Sequence, residues 1–129
     1  MQSQITKYFV TTPIFYVNAK PHLGHVYTVL LADAQNRFQK LRKPQNHQTL
    51  FTTGTDEHGL KIQQASEKNG FSNPIHFCDS VSREFNTTFD SFQIVSDDFI
   101  RTSEERHRNA VSHFWKKLQN NGNYFISKL

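Results

Sequence analysis

The chain reads as an α/β protein, a parallel sheet with flanking helices, on three observations. Residues 8–12 and 48–53 are short runs rich in β-branched and aromatic residues. A long stretch of helical periodicity separates them. Each run leads into a polar loop containing glycine and histidine, residues 22–25 and 54–59. At 129 residues the chain is one continuous domain, 1–129, or a piece of one.

Residues 8–12 read as a buried strand stopped by Pro13, which cannot donate to a ladder. In residues 23–41, Val26, Val29, Leu30, Ala34, Phe38 and Leu41 recur at helical spacing. Lys40, Arg42 and Lys43 suit the C-terminal end before Pro44, so this is a crossover helix. Residues 48–53 form the second strand. A right-handed crossover makes the two strands parallel neighbours with their C-terminal ends at one edge. Open parallel sheets bind ligands outside that edge, which brings loops 22–25 and 54–59 together.

A helix over 60–69 ends at Gly70, and another starts near Pro74 with Phe77, Val81, Phe85, Phe89 and Phe92 along one core-facing side. Residues 99–101 suit a short strand. Thr102 and Glu105 suit a capping box for a last helix, with His107, Val111, Phe114 and Leu118 on one side and Gly122 as its stop. Residues 124–127 read as an interrupted strand.

The net charge of +4 is spread over dispersed lysines and arginines, which tolerates a polyanionic partner without requiring one. Cys78, the single cysteine, excludes an internal disulfide and a multi-cysteine zinc site; a buried thiol in a reducing compartment is expected. No apolar run is long enough to span a bilayer, and residues 1–7 are too short and polar for a secretory signal, so a soluble chain without a membrane partner is expected. The terminal Ser127-Lys128-Leu129 and the sequon at Asn86 are read as accidental.

The chemistry concentrates in His22-Leu23-Gly24-His25. Two imidazoles beside a glycine at a helix N-terminus suit a nucleotide phosphate chain: the rings donate to phosphate oxygens and Gly24 lets the nucleotide approach the backbone. Solvent-facing imidazoles are the bland reading. Zinc is disfavoured, because the histidines are spaced i, i+3 across a helix boundary with no carboxylate or cysteine beside them. Neither a P-loop nor a G-x-G-x-x-G pattern occurs. In the second loop Asp56 suits a substrate ammonium or a helix N-cap equally, and Glu57 and His58 are equal candidates for the cap. Tyr16 suits a pocket wall or simple packing.

Four segments resemble one family. They are Thr11-Thr12-Pro13-Ile14-Phe15-Tyr16-Val17-Asn18, then Pro21-His22-Leu23-Gly24-His25, then Gly54-Thr55-Asp56-Glu57-His58-Gly59, and Asp98-Phe99-Ile100-Arg101-Thr102-Ser103-Glu104-Glu105-Arg106-His107. Together they resemble class I methionyl-tRNA synthetases of the bacterial and mitochondrial type. Gly59 to Ala65 and His113-Phe114-Trp115 look more like the animal mitochondrial branch, which implies the mitochondrial matrix, with the cytoplasm as the alternative for a bacterial source.

The resemblance implies a Rossmann-like parallel sheet with flanking helices, the N-terminal half of a class I synthetase catalytic domain, which would leave an edge strand unpaired and one sheet face partly uncovered. It implies ATP-dependent activation of methionine to methionyl-adenylate and transfer to tRNA(Met), with Mg2+ accompanying ATP and no zinc bound in this chain. His22 and His25 would act on ATP in the activation step, Gly24 would give the adenosine room, and Ile14, Tyr16 and Asp56 would bind methionine, Asp56 taking the ammonium. Asn18 would help hold the signature loop. The family's second signature, Lys-Met-Ser-Lys-Ser, is absent, since Met1 is the only methionine. A fragment inactive on its own is therefore expected, with its oligomeric state open. The alternatives are a truncated, non-catalytic ATP- or methionine-binding module and another H-x-G-H nucleotidyltransferase.

Overall fold

The computed structural model describes residues 6–42 and 47–122. Lys43, Pro44, the strand expected at 124–127 and the terminal tripeptide lie outside the described residues. The elements run β1 (Thr6–Thr11), β2 (Phe15–Tyr16), α1 (Leu23–Arg42), β3 (His47–Asp56), α2 (Leu60–Lys68), α3 (Pro74–Ser91), β4 (Asp98–Arg101) and α4 (Glu105–Asn120).

All pairing is parallel and centres on β3. Thr52 pairs with both Thr11 and Asp98, and Thr55 with both Phe15 and Arg101, so β1 and β2 follow one another along one edge of β3 while β4 occupies the other. Three residues separate Thr11 from Phe15, against two between their partners Thr52 and Thr55, so the first edge carries a one-residue bulge. Pro13 lies in it and has no ladder hydrogen to lose. Beside it the Thr12 hydroxyl bonds that of Thr53 at 2.7 Å. The bulge lets the edge resume as β2, a strand that periodicity does not reveal, and carries β3 on to Asp56 rather than stopping at Thr53.

Phe51 and Val29 sit in a core shared by sheet and helices, with Phe77, Val81, Phe85 and Phe89 of α3 as expected. Cys78 is buried there, and burial pushes its thiol up to about 11, so it is an unreactive protonated group. Phe15 of β2 and the following Val17 are buried in the same core. On the opposite sheet face, Phe9 and Leu50 pair in register yet are 61% and 48% exposed. That face and the outer edge of β1 are uncovered among the described residues.

Three expectations need correction. In α1 only Val26 and Val29 of the helically spaced set are buried; Leu30, Ala34, Phe38 and Leu41 face outward, and Ala32, Asp33, Asn36 and Gln39 are buried instead. Both faces of α1 carry apolar residues, and the side against the sheet also takes polar ones: Asp33 accepts from Arg37 at 2.6 Å and Arg37 reaches the Gln93 carbonyl, while Asn36 Oδ1 is buried without a partner among the described residues. Phe92 is not core, because α3 ends at Ser91 and the chain turns through Gln93 at a positive φ of 57°. The capping box before α4 does not form. Glu104 is the N-cap without a side-chain bond, and no residue of α4 is buried. Thr102 is unavailable because its hydroxyl accepts the backbone N–H of Glu57 at 2.9 Å.

Candidate active site

The His22–His25 loop opens α1. The His22 carbonyl accepts the backbone N–H groups of His25 at 2.9 Å and Val26 at 3.3 Å, which begins the helix. Inside this turn the Gly24 N–H donates to His22 Nδ1 at 3.1 Å and the His22 N–H donates to His25 Nδ1 at 3.2 Å. Both Nδ1 atoms are acceptors, so in the neutral rings the proton sits on Nε2 in each. The loop therefore selects the tautomer that presents two Nε2–H donors.

The rings stack with centroids 3.7 Å apart. Burial, with a smaller contribution from His22, holds His25 below the ordinary histidine value, which keeps it neutral at pH 7. Gly24 serves the rings as well as any ligand: a Cβ there would stand 3.0 Å from Cε1 and 3.1 Å from Nδ1 of His22. A side chain at position 24 would push against the His22 ring.

Asp56 ends β3 and lies in register with Tyr16. Its backbone carbonyl accepts the Val17 N–H at 3.4 Å, and its Oδ1 accepts the His58 N–H at 3.3 Å, an Asx turn. The N-cap reading falls away for Asp56, Glu57 and His58 alike, since Gly59 caps α2 with no side-chain bond. Gly59 adopts φ 109°, a value that favours glycine.

β2 joins the two loops. Tyr16 pairs with Asp56, while the preceding Phe15 puts its ring 5.0 Å from that of His25. The structure thus brings His22, Gly24 and His25 to the same C-terminal sheet edge as Asp56. Ile14 and Tyr16 flank that edge with exposed side chains. Asn18 lies beyond β2 and lines a separate concavity with Lys20 and Phe77. An apolar hollow formed by Leu23, Tyr27, Leu30 and Phe92 adjoins the first turn of α1.

Sequence reasoning gave Glu57 only a possible capping part. Its side chain is wholly buried and ion-paired to Arg101. Arg101 and Ser103 lie 44 and 46 positions away, so no local spacing signals them.

A family model for class I tRNA synthetases (M) matches residues 8–128. The chain belongs to that family. It is 57% identical over 114 residues to the mitochondrial methionine–tRNA ligase of Mus musculus, covering 88% of this chain and 19% of the mouse protein. It is 46% identical over 119 residues to the methionine–tRNA ligase of Rickettsia bellii, covering 92% of this chain and 22% of the relative. In structure it is similar to Mycobacterium tuberculosis methionyl-tRNA synthetase in complex with methionyl-adenylate, with TM-score 0.84 and 36% identity over 92% of this chain and 22% of that one. The synthetase chain therefore spans about a fifth of the length of the relatives it matches. The α/β fold with its parallel sheet is the one expected from the sequence.

Proposed function

We propose that this synthetase chain carries the methionine- and ATP-contacting part of a methionine–tRNA ligase that forms methionyl-adenylate and passes methionine to tRNA(Met). The observation that carries the reading is the meeting of the His22–His25 loop with Asp56 through β2 at one sheet edge. The methionine carboxylate is already ionised at neutral pH, so it attacks the α-phosphate without a general base. A P–O bond forms to it and pyrophosphate leaves with the electron pair of the broken bond. What catalysis requires is alignment and relief of the charge growing on the phosphate. The Nε2–H groups of His22 and His25 supply donors for that charge, Gly24 admits the nucleotide, and Asp56 holds the ammonium between Ile14 and Tyr16. Mg2+ enters with ATP as part of the substrate.

The mitochondrial matrix is the proposed location, supported by the mouse relative, while the Rickettsia relative keeps a bacterial cytoplasm as the competing assignment. The activity test uses the mouse ligase with its matching segment replaced by this chain. Methionine-dependent exchange of pyrophosphate into ATP is expected from the fusion and negligible from the chain alone. His22→Ala and His25→Ala should each lower exchange by about a hundredfold or more. Exchange indifferent to both histidines, or robust exchange by the chain alone, would overturn the reading.

A further inference from the structure

The densest polar cluster among the described side chains surrounds Glu57, the residue after Asp56. Glu57 Oε1 accepts from Thr55 Oγ1 at 2.8 Å, Ser82 Oγ at 2.5 Å and Arg101 Nε at 2.7 Å. Its Oε2 accepts from Arg101 Nη2 at 3.0 Å and from Ser103 Oγ. Arg101 Nη2 also donates to Asp79 at 2.6 Å. One carboxylate thus joins the ends of β3 and β4, the middle of α3 and the turn before α4. Burial opposes its charge, but the bonds from Arg101, Ser103, Ser82 and Thr55 outweigh that and hold Glu57 below the usual carboxylate value.

A buried ion pair is a poor way to gain stability, since desolvation consumes most of the attraction; its best-attested return is a fixed arrangement of neighbouring groups. The arrangement here is that of Asp56. Strand neighbours point to opposite sheet faces, and both Thr55 and Glu57 are buried, so the half-buried Asp56 is turned to the other face, which its exposed register partner Tyr16 shares. The Thr102 hydroxyl takes the Glu57 N–H, and the Thr102 carbonyl accepts from the His58 ring, which pins the backbone on the far side of Asp56 as well.

We propose that Glu57 and Arg101 are a positioning pair for Asp56: they set the orientation of the carboxylate that receives the methionine ammonium and touch no substrate themselves. The proposal rests on the reading of Asp56 given above. A pair serving the fold alone would disturb methionine and ATP use alike; a positioning pair disturbs methionine use selectively.

The test is steady-state exchange kinetics in the fusion ligase. Glu57→Gln should raise the KM for methionine about tenfold to a hundredfold, the range that small misplacements of a binding group produce. The KM for ATP should stay within about twofold, and adding Glu57→Gln to Asp56→Asn should cost little more than Asp56→Asn alone. Arg101→Lys, which keeps the charge but loses the fork, should give a smaller rise of the same selectivity. Ser103→Ala removes a single donor and serves if Glu57→Gln does not fold; it too must shift methionine and spare ATP. Selective loss with Asp56→Asn but none with the Glu57 or Ser103 variants, or equal shifts for both substrates, overturns the positioning role alone. An unchanged methionine KM in Asp56→Asn overturns the assignment of Asp56 and the positioning role with it.

Discussion

Phe15 and His25 lie with ring centroids 5.0 Å apart, tilted 59°, and this contact ties the second strand to the signature loop. Phe15 also stacks on Phe85 at 5.7 Å and meets Phe89 edge-on at 6.1 Å. Its backbone sets Tyr16 against Asp56 while its ring packs the histidine. Packing and site geometry therefore share one residue.

Truncating that ring should be costly. Phe15→Ala is expected to destabilise the chain by about 3–5 kcal/mol, and Phe15→Leu by clearly less, because the leucine fills part of the void. Urea unfolding curves check this. Equal midpoints for wild type and Phe15→Ala would mean the contact does not hold the core.

Gly54 should tolerate no side chain. A Cβ there would fall 2.0 Å from the Ile100 carbonyl oxygen, a backbone atom of the paired strand. Gly54→Ala must therefore spread β3 from β4, costing roughly 1–3 kcal/mol or more. Faster amide exchange at Thr102, whose N–H bonds the Thr55 carbonyl across this pairing, is the local readout. Unchanged exchange there would contradict the close approach.

Acid should weaken the fold in two stages. The folded His25 has a lowered pKa, so the native state binds fewer protons than the unfolded chain; its contribution is complete above the ordinary value of 6.5 and declines as pH falls below it. Glu57 has the same sign, with its contribution lost as pH falls below the ordinary 4.5. Urea midpoints should hold between pH 8 and 7, fall as pH drops below 6.5, and fall again below 4.5. His25→Asn should flatten the upper stage and Glu57→Gln the lower. A rise in stability between pH 7 and 5.5 would reverse the sign assigned to His25.

Nitrogen-15 spectra should show the neutral rings of both His22 and His25 as Nε2–H tautomers, since each Nδ1 accepts a backbone N–H. Gly24→Ala should disturb His22 more than His25, because the added carbon meets the His22 ring. A protonated Nδ1 in either neutral ring would refute the hydrogen-bonded turn.

Element order and the meeting of the two polar loops are legible in the sequence because they follow from short β-rich runs, one long helical period and crossover geometry. The face of α1 is not. Leu30, Phe38 and Leu41 repeat as regularly as a core stripe, and only the contacts of Asp33 and Arg37 reveal that the opposite side packs inward. The capping box misleads for a related reason: Thr102 has the right spacing to Glu105, but a partner 45 residues away claims its hydroxyl. In the candidate site, His22, Gly24 and His25 stand out by local pattern, whereas Asp56 is singled out from Glu57 and His58 only by the family resemblance. Glu57 does not stand out, because what sets it apart from its neighbours is Arg101, Ser82 and Ser103, all distant in sequence.

The account stands on one crevice shared by the histidine loop and Asp56. Calorimetric titration of the fusion ligase with a non-reactive sulfamoyl analogue of methionyl-adenylate tests it most directly, because that ligand carries the phosphate mimic and the ammonium on one molecule. His25→Asn and Asp56→Asn should each weaken binding by about tenfold or more, the loss of a charge-assisted or site-directed hydrogen bond. Binding that is weakened by one change and untouched by the other would place the two loops at different sites and contradict the account.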